Sequence, residues 1–158
     1  VPDGKVPGAS RALDYMGLSP GAGLSGTKVD YVFIGSCTNG RLDDLAEAAS
    51  ILKGRKIAPH LRAVVTPGSK LVERRAEESG IKQLFLDSGF AWGESGCSMC
   101  AGGGETITPG SRVVSTTNRN FENRQGPGVR THLASPLTAA ACALEGAISD
   151  PRLLLRKA

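Results

Sequence analysis

The segment Val29-Asp30-Tyr31-Val32-Phe33-Ile34 constrains the fold most, because it is an apolar, β-branched and aromatic run that stops dead at Gly35. Such a run reads as a buried strand. Its C-terminal end delivers Cys37 within the string Gly35-Ser36-Cys37-Thr38-Asn39. A helix follows over 43–52, with Leu42, Leu45, Ala46, Ala49 and Leu52 on one face. Leu61 to Thr66 repeats the strand and is closed by Pro67-Gly68; Ser69 then caps a helix running to Glu78, which Gly80 stops. Ile81 to Asp87 begins a third segment, and Trp92 to Gly104 is a loop rich in glycine. A short strand over 112–115 leads into the polar loop 116–131. Ser135-Pro136 opens a helix of small residues that ends near Gly146. Strands alternating with helices predict an α/β fold, a three-layer αβα arrangement around a mainly parallel sheet, with ligands at the C-terminal strand ends.

The chain has the length and core material of one domain: 158 residues, 40% of them hydrophobic and only 4% aromatic, with 21 glycines and 9 prolines. Its core must come from Ala, Val, Leu and Ile, with many tight turns. Nineteen Lys and Arg against 15 Asp and Glu leave a net charge of +4 with no dense basic block, a balance that suits a small anionic substrate better than nucleic acid. The longest apolar stretch, near Thr138 to Leu144, is too short to cross a bilayer. A soluble protein of a reducing compartment, the cytoplasm, is expected. Opening on Val1-Pro2-Asp3 in place of Met reads as a processed or excised piece. Residues 1–27 then read as a lead-in from missing upstream domains, and 28–158 as the domain proper. The lead-in contains Gly21-Ala22-Gly23-Leu24-Ser25-Gly26, a literal G-x-G-x-x-G. It precedes the strand instead of following one, so it is a loop and not a dinucleotide site.

Four cysteines at uneven spacing point to metal ligation before disulfides. Cys37 follows the first strand, and the pair Cys97 and Cys100 comes sixty residues later in a glycine-rich loop. Three thiolates suit a [4Fe-4S] cluster with one iron left open, and an open iron can act as a Lewis acid. The same count is compatible with zinc, given a fourth ligand such as His132, or with a dithiol. A thioredoxin-like dithiol is disfavoured because the pair does not open a helix after a strand. Cys142, in the Ala-rich helix, reads as a core thiol. His132, beside a helix start, reads as a packed or hydrogen-bonded histidine, His60 as a surface residue, and 73–78 as a charged helix face without functional assignment.

Taken with Gly96-Cys97-Ser98-Met99-Cys100, the string Ser115-Thr116-Thr117-Asn118-Arg119-Asn120-Phe121-Glu122-Asn123-Arg124 and its continuation through Gly126-Pro127-Gly128 to Ser135-Pro136, the cysteine motifs resemble the aconitase and isopropylmalate isomerase family, in order and spacing. The similarity runs from about Tyr15 to Arg152 and is nearest to the last third of the isomerase large subunits. The resemblance implies the family's iron–sulfur domain and a hydro-lyase that interconverts 2-isopropylmalate and 3-isopropylmalate by dehydration and rehydration, in leucine biosynthesis. Citrate, homocitrate and methylmalate are the alternative substrates of such an enzyme. It implies Cys37, Cys97 and Cys100 as ligands of a [4Fe-4S] cluster, Arg119 and Arg124 as contacts for the carboxylates of a hydroxy-dicarboxylate substrate, and Asn118 beside the cluster. Arg130 stands evenly between substrate and structure. No proton-transferring catalytic residue is expected here, because the family's acid–base groups lie in other domains of the large subunit and on a small, swivelling subunit. The chain alone is therefore expected to be inert. Cluster-free relatives can bind RNA, but that use requires a broad basic surface. Two departures from the family pattern, Gly40 and the run Ala101-Gly102-Gly103-Gly104, add glycine and are expected to loosen the cysteine loops.

Overall fold

A computed structural model describes residues 1–3, 5–101 and 106–155. Its elements are α1 (Ala9–Met16), β1 (Tyr31–Gly35), α2 (Leu42–Ala49), β2 (Arg62–Thr66), α3 (Lys70–Glu78), α4 (Ile81–Ser88), β3 (Ala91–Trp92), a 3-10 turn (Ser98–Ala101), β4 (Arg112–Ser115), β5 (Arg130–Leu133), α5 (Pro136–Glu145) and α6 (Arg152–Leu155). The five strands form one sheet in the order β3-β2-β1-β4-β5. Every pairing is parallel, with Val32 beside Ala63 on one side and Val114 on the other. All C-terminal strand ends therefore lie along a single edge. The chain steps outward from β1 to β3 and then returns to the other side of β1, so the loops after β1 and β4 diverge and leave a crevice between them.

Helices flank the sheet on both sides, as the three-layer reading expects, but the cover is unequal. Val32 and Ile34 of β1, Val65 of β2 and Val114 of β4 face α2, α4 and α5 in the larger core. Phe33, Val64 and Val113 face the opposite way, onto Met99 and Cys100 of the 3-10 turn, with Ile107 and Val129 completing that layer. One cysteine is thus part of the second core. Each fully buried Val, Ile or Phe contributes roughly 1.5–3 kcal/mol by leaving water, so this layer ties the cysteine loop to the strands.

Ile81–Ser88, whose conformation the sequence leaves unspecified, is a helix. Gly80 and Gly89 bound it in left-handed backbone (φ 75° and 98°), and Phe85 anchors it edge-on against Phe90, centroids 5.1 Å apart. Two short strands, β3 and β5, lie in stretches the sequence presents as loops. Neither has an apolar run: Arg130-Thr131-His132-Leu133 is extended because four ladder positions on β4 receive it. The caps at Ser69 and Ser135 form as expected, each hydroxyl accepting the N–H three residues on. Cys142 is buried in α5, its thiol pushed up by desolvation.

Helix α1 is tied to β4 and β5. Arg130 Nε donates to Tyr15 O (3.0 Å) and Arg112 Nη2 to Met16 O (2.8 Å), so two guanidiniums cover the negative end of the helix. Tyr15 donates to Val129 O at 2.7 Å. Arg130 is accordingly a structural residue in this arrangement.

Gly35 ends β1 at φ 128°, and a Cβ there would be driven into the Thr66 carbonyl oxygen of the neighbouring strand. Gly35→Ala is expected to cost about 3 kcal/mol or more, measured as a lowered urea midpoint at unchanged m-value.

Candidate metal centre at the C-terminal sheet edge

Past Gly35 the chain turns through Ser36, a fully buried residue at φ 89°, which reverses direction and presents Cys37 at the surface. A non-glycine residue in this region stores strain and persists only where its surroundings hold it. They do so here. Thr116, just past β4, accepts from Gly35 N at 2.9 Å and donates to Gly35 O at 3.1 Å through its hydroxyl. Asn39 Nδ2 donates to Thr116 O, closing the first loop onto the second. Neither Thr116 nor Asn39 was singled out by the sequence beyond membership of a motif; the signal available was the polar, turn-forming character of both strings.

Gly40 corrects the expectation of a loosened loop. A Cβ at this position would lie 2.6 Å from Ser36 O, 2.8 Å from Gly68 N and 2.9 Å from Thr66 O, and Gly68 N donates to Gly40 O at 2.9 Å. The glycine permits a close backbone approach instead of adding slack. The other departure, over 102–104, lies outside the described residues.

Cys97 is exposed on the loop after β3, and its thiol lies close enough to that of Cys37 to feel it electrostatically. The neighbouring Cys37 thiol, followed by desolvation and a smaller contribution from Cys100, holds Cys97 above the ordinary thiol range. Cys100 is buried one turn later, its N–H donating to Cys97 O at 2.9 Å. The three thiols thus come from two loops at one edge, two neighbours at the surface and one set into the core. Among the described residues no three His, Cys, Asp or Glu side chains stand close enough to share a single ion.

Arg124 reaches back to this group. Its Nε and Nη2 donate to Cys100 O at 3.0 and 2.6 Å, its Nη2 also to Cys100 Sγ at 3.2 Å, and its guanidinium lies 5.4 Å from the Phe121 ring. Arg119 and Asn118 are exposed on the same loop, and their side chains have no hydrogen bond or ion pair among the described residues. The structure therefore brings Arg124 to the cysteines and leaves Arg119 as an unengaged cation. An open cleft of about 370 Å³, lined by Val64 and residues 93–99, runs beside Cys97.

His132 is not placed with the cysteines. Its Nε2 accepts from Arg112 Nη1 at 2.8 Å, which fixes a neutral ring, and desolvation together with the Arg112 charge pushes its pKa from 6.5 down to about 4. It cannot supply the fourth ligand of a zinc site in this arrangement. His60 is exposed, with Nε2 3.3 Å from Gly146 O.

The donor set fits an iron–sulfur group: three soft sulfur donors, with no carboxylate or imidazole grouped with them among the described residues, and loops packed so tightly that Cβ atoms at Gly35 and Gly40 would collide with backbone. A five-stranded parallel sheet with helices on both sides and its cysteine loops at the C-terminal edge is that of an α/β domain of the aconitase type. The match is direct: the model of the aconitase family (aconitate hydratase) covers residues 3–146, and the chain belongs to that family. The large subunit 1 of 3-isopropylmalate dehydratase from Bradyrhizobium diazoefficiens is 62% identical over 146 residues, 92% of this chain. The chain spans 31% of the length of that relative. No helix among the described residues is long and apolar enough to cross a membrane.

Between pH 6.5 and about 4 the unfolded chain binds a proton at His132 that the folded chain refuses, so stability falls as pH drops through this window. Because the ring is only partly buried, the loss by pH 4 is expected to stay below about 3 kcal/mol. His132→Gln, which can still accept from Arg112, should flatten the difference in urea titrations across the same range.

Proposed function

We propose that this chain is the cluster-bearing part of a hydro-lyase that interconverts 2-isopropylmalate and 3-isopropylmalate by removing and returning water, in leucine biosynthesis in the cytoplasm. The observation that carries the reading is the meeting of Cys37 with Cys97, and of Cys100 with Arg124, at the crevice edge of a family-matched domain. Cys37, Cys97 and Cys100 hold the group as thiolates, which requires each to lose its proton on binding. A [4Fe-4S] cluster with three protein ligands supplies one iron with an open position, a Lewis acid for a hydroxyl oxygen.

The chain's own residues do the rest of its share. Arg119 offers a planar fork to one substrate carboxylate, a bidentate contact that lysine cannot reproduce. Arg124 steadies Cys100 through Nε and Nη2 and keeps Nη1 for the second carboxylate. Asn118, exposed on the same loop as Arg119, would offer an amide donor to a bound cluster and so tune its electronics. Proton transfer falls to groups contributed by the remainder of the large subunit and by a small-subunit partner, so this chain alone is inert.

Anaerobic reconstitution with iron and sulfide tests the reading. Visible charge-transfer absorption should appear with iron and sulfide in cluster stoichiometry and vanish in Cys97→Ser; a colourless protein binding stoichiometric zinc would sink the proposal. With the missing domains and small subunit supplied, Arg119→Lys should lower kcat/KM by about tenfold, roughly 1.4 kcal/mol of transition-state binding, chiefly through KM.

A further inference from the structure

Both cysteine loops lean on a segment that carries no cysteine, the corner between β2 and α3. Gly68 N donates to Gly40 O at 2.9 Å in the Cys37 loop, and Pro67 O accepts from Gly96 N at 3.1 Å in the Cys97 loop. One turn further, Glu73 of α3 points back to the same loop. Its Oε2 accepts from Ser95 Oγ at 2.7 Å and from Lys70 Nζ at 2.9 Å. Glu73 is largely covered, at 18% side-chain exposure, and the two donors hold its carboxyl below the usual carboxylate range, Lys70 more than Ser95. Among described residues 93–97, Ser95 Oγ is the side chain that hydrogen-bonds to the helical layer; the rest of that attachment is backbone, in a stretch with glycine at 93 and 96.

We infer that Glu73 is a positioning residue: with Ser95 it latches the Cys97 loop to the corner that also mounts the Cys37 loop, and so fixes the spacing of the two surface thiols. The inference rests on the cluster reading for its consequence, though not for its geometry. A loop with two glycines loses much backbone freedom when ordered, and a charge-assisted hydrogen bond is strong enough to hold it. Lys70 keeps the carboxylate charged and aimed.

Amide hydrogen exchange over 94–97 in the cluster-free chain measures the latch directly. Glu73→Ala and Ser95→Ala should each accelerate exchange about tenfold, as expected for loss of one hydrogen bond to a charged group, and the double variant should add nothing further. Glu73→Gln, which still accepts from Ser95, should restore most of the protection. After reconstitution, the alanine variants should lose cluster absorption in air several-fold faster, with the melting temperature little changed. Wild-type exchange in both single variants, or additive effects in the double, would overturn the inference. If exchange responds as expected while the wild-type chain takes up no cluster, the latch stands and the cluster reading falls.

Discussion

Three backbones meet almost without side chains at the C-terminal ends of β1, β2 and β4, and the rest of the molecule is arranged around that approach. Gly35 leaves no room for a Cβ against Thr66, Gly40 none against Ser36, Thr66 and Gly68. Thr116 closes the third side by exchanging two hydrogen bonds with Gly35. Ser36 is held in left-handed backbone by this packing, and it is Ser36 that turns Cys37 out of the sheet. A strained residue beside a reactive one is stable only in such a frame.

The second core layer gives this frame its function. Met99 and Cys100 are buried against Phe33, Val64 and Val113, so the loop carrying the cysteine pair is anchored by apolar contact at one end. At its other end it is anchored by Pro67 and Glu73. Cys97 lies between the two anchors, exposed and against Cys37. Attachment on both sides of Cys97 fixes its position relative to Cys37.

Charge is distributed by task. Arg112 and Arg130 serve α1 by covering its C-terminal carbonyls, and Arg112 holds His132 neutral. Arg124 serves the cysteines, and Arg119 faces solvent without a partner among the described residues. Four arginines within twenty residues of sequence thus divide into two structural, one attached to Cys100, and one unengaged among the described residues.

The parallel α/β architecture was legible from the apolar run ending at Gly35, the Pro67-Gly68 stop and the serine caps, because burial on both faces and helix capping are local demands written in residue type. The cysteine spacing and its flanking strings likewise carried the family. The short strands β3 and β5, the helix at 81–88 and the latch from Glu73 to Ser95 were not legible. Strand β5 is extended only because β4 offers it a ladder, and Glu73 looks like any charged residue on a helix face until Ser95, twenty-two positions away, is folded against it. Sequence alone determined the family and where strands had to be buried. Tertiary structure decided which arginine meets a cysteine and which glycine is a necessity, because those outcomes depend on distances between segments that no local pattern encodes.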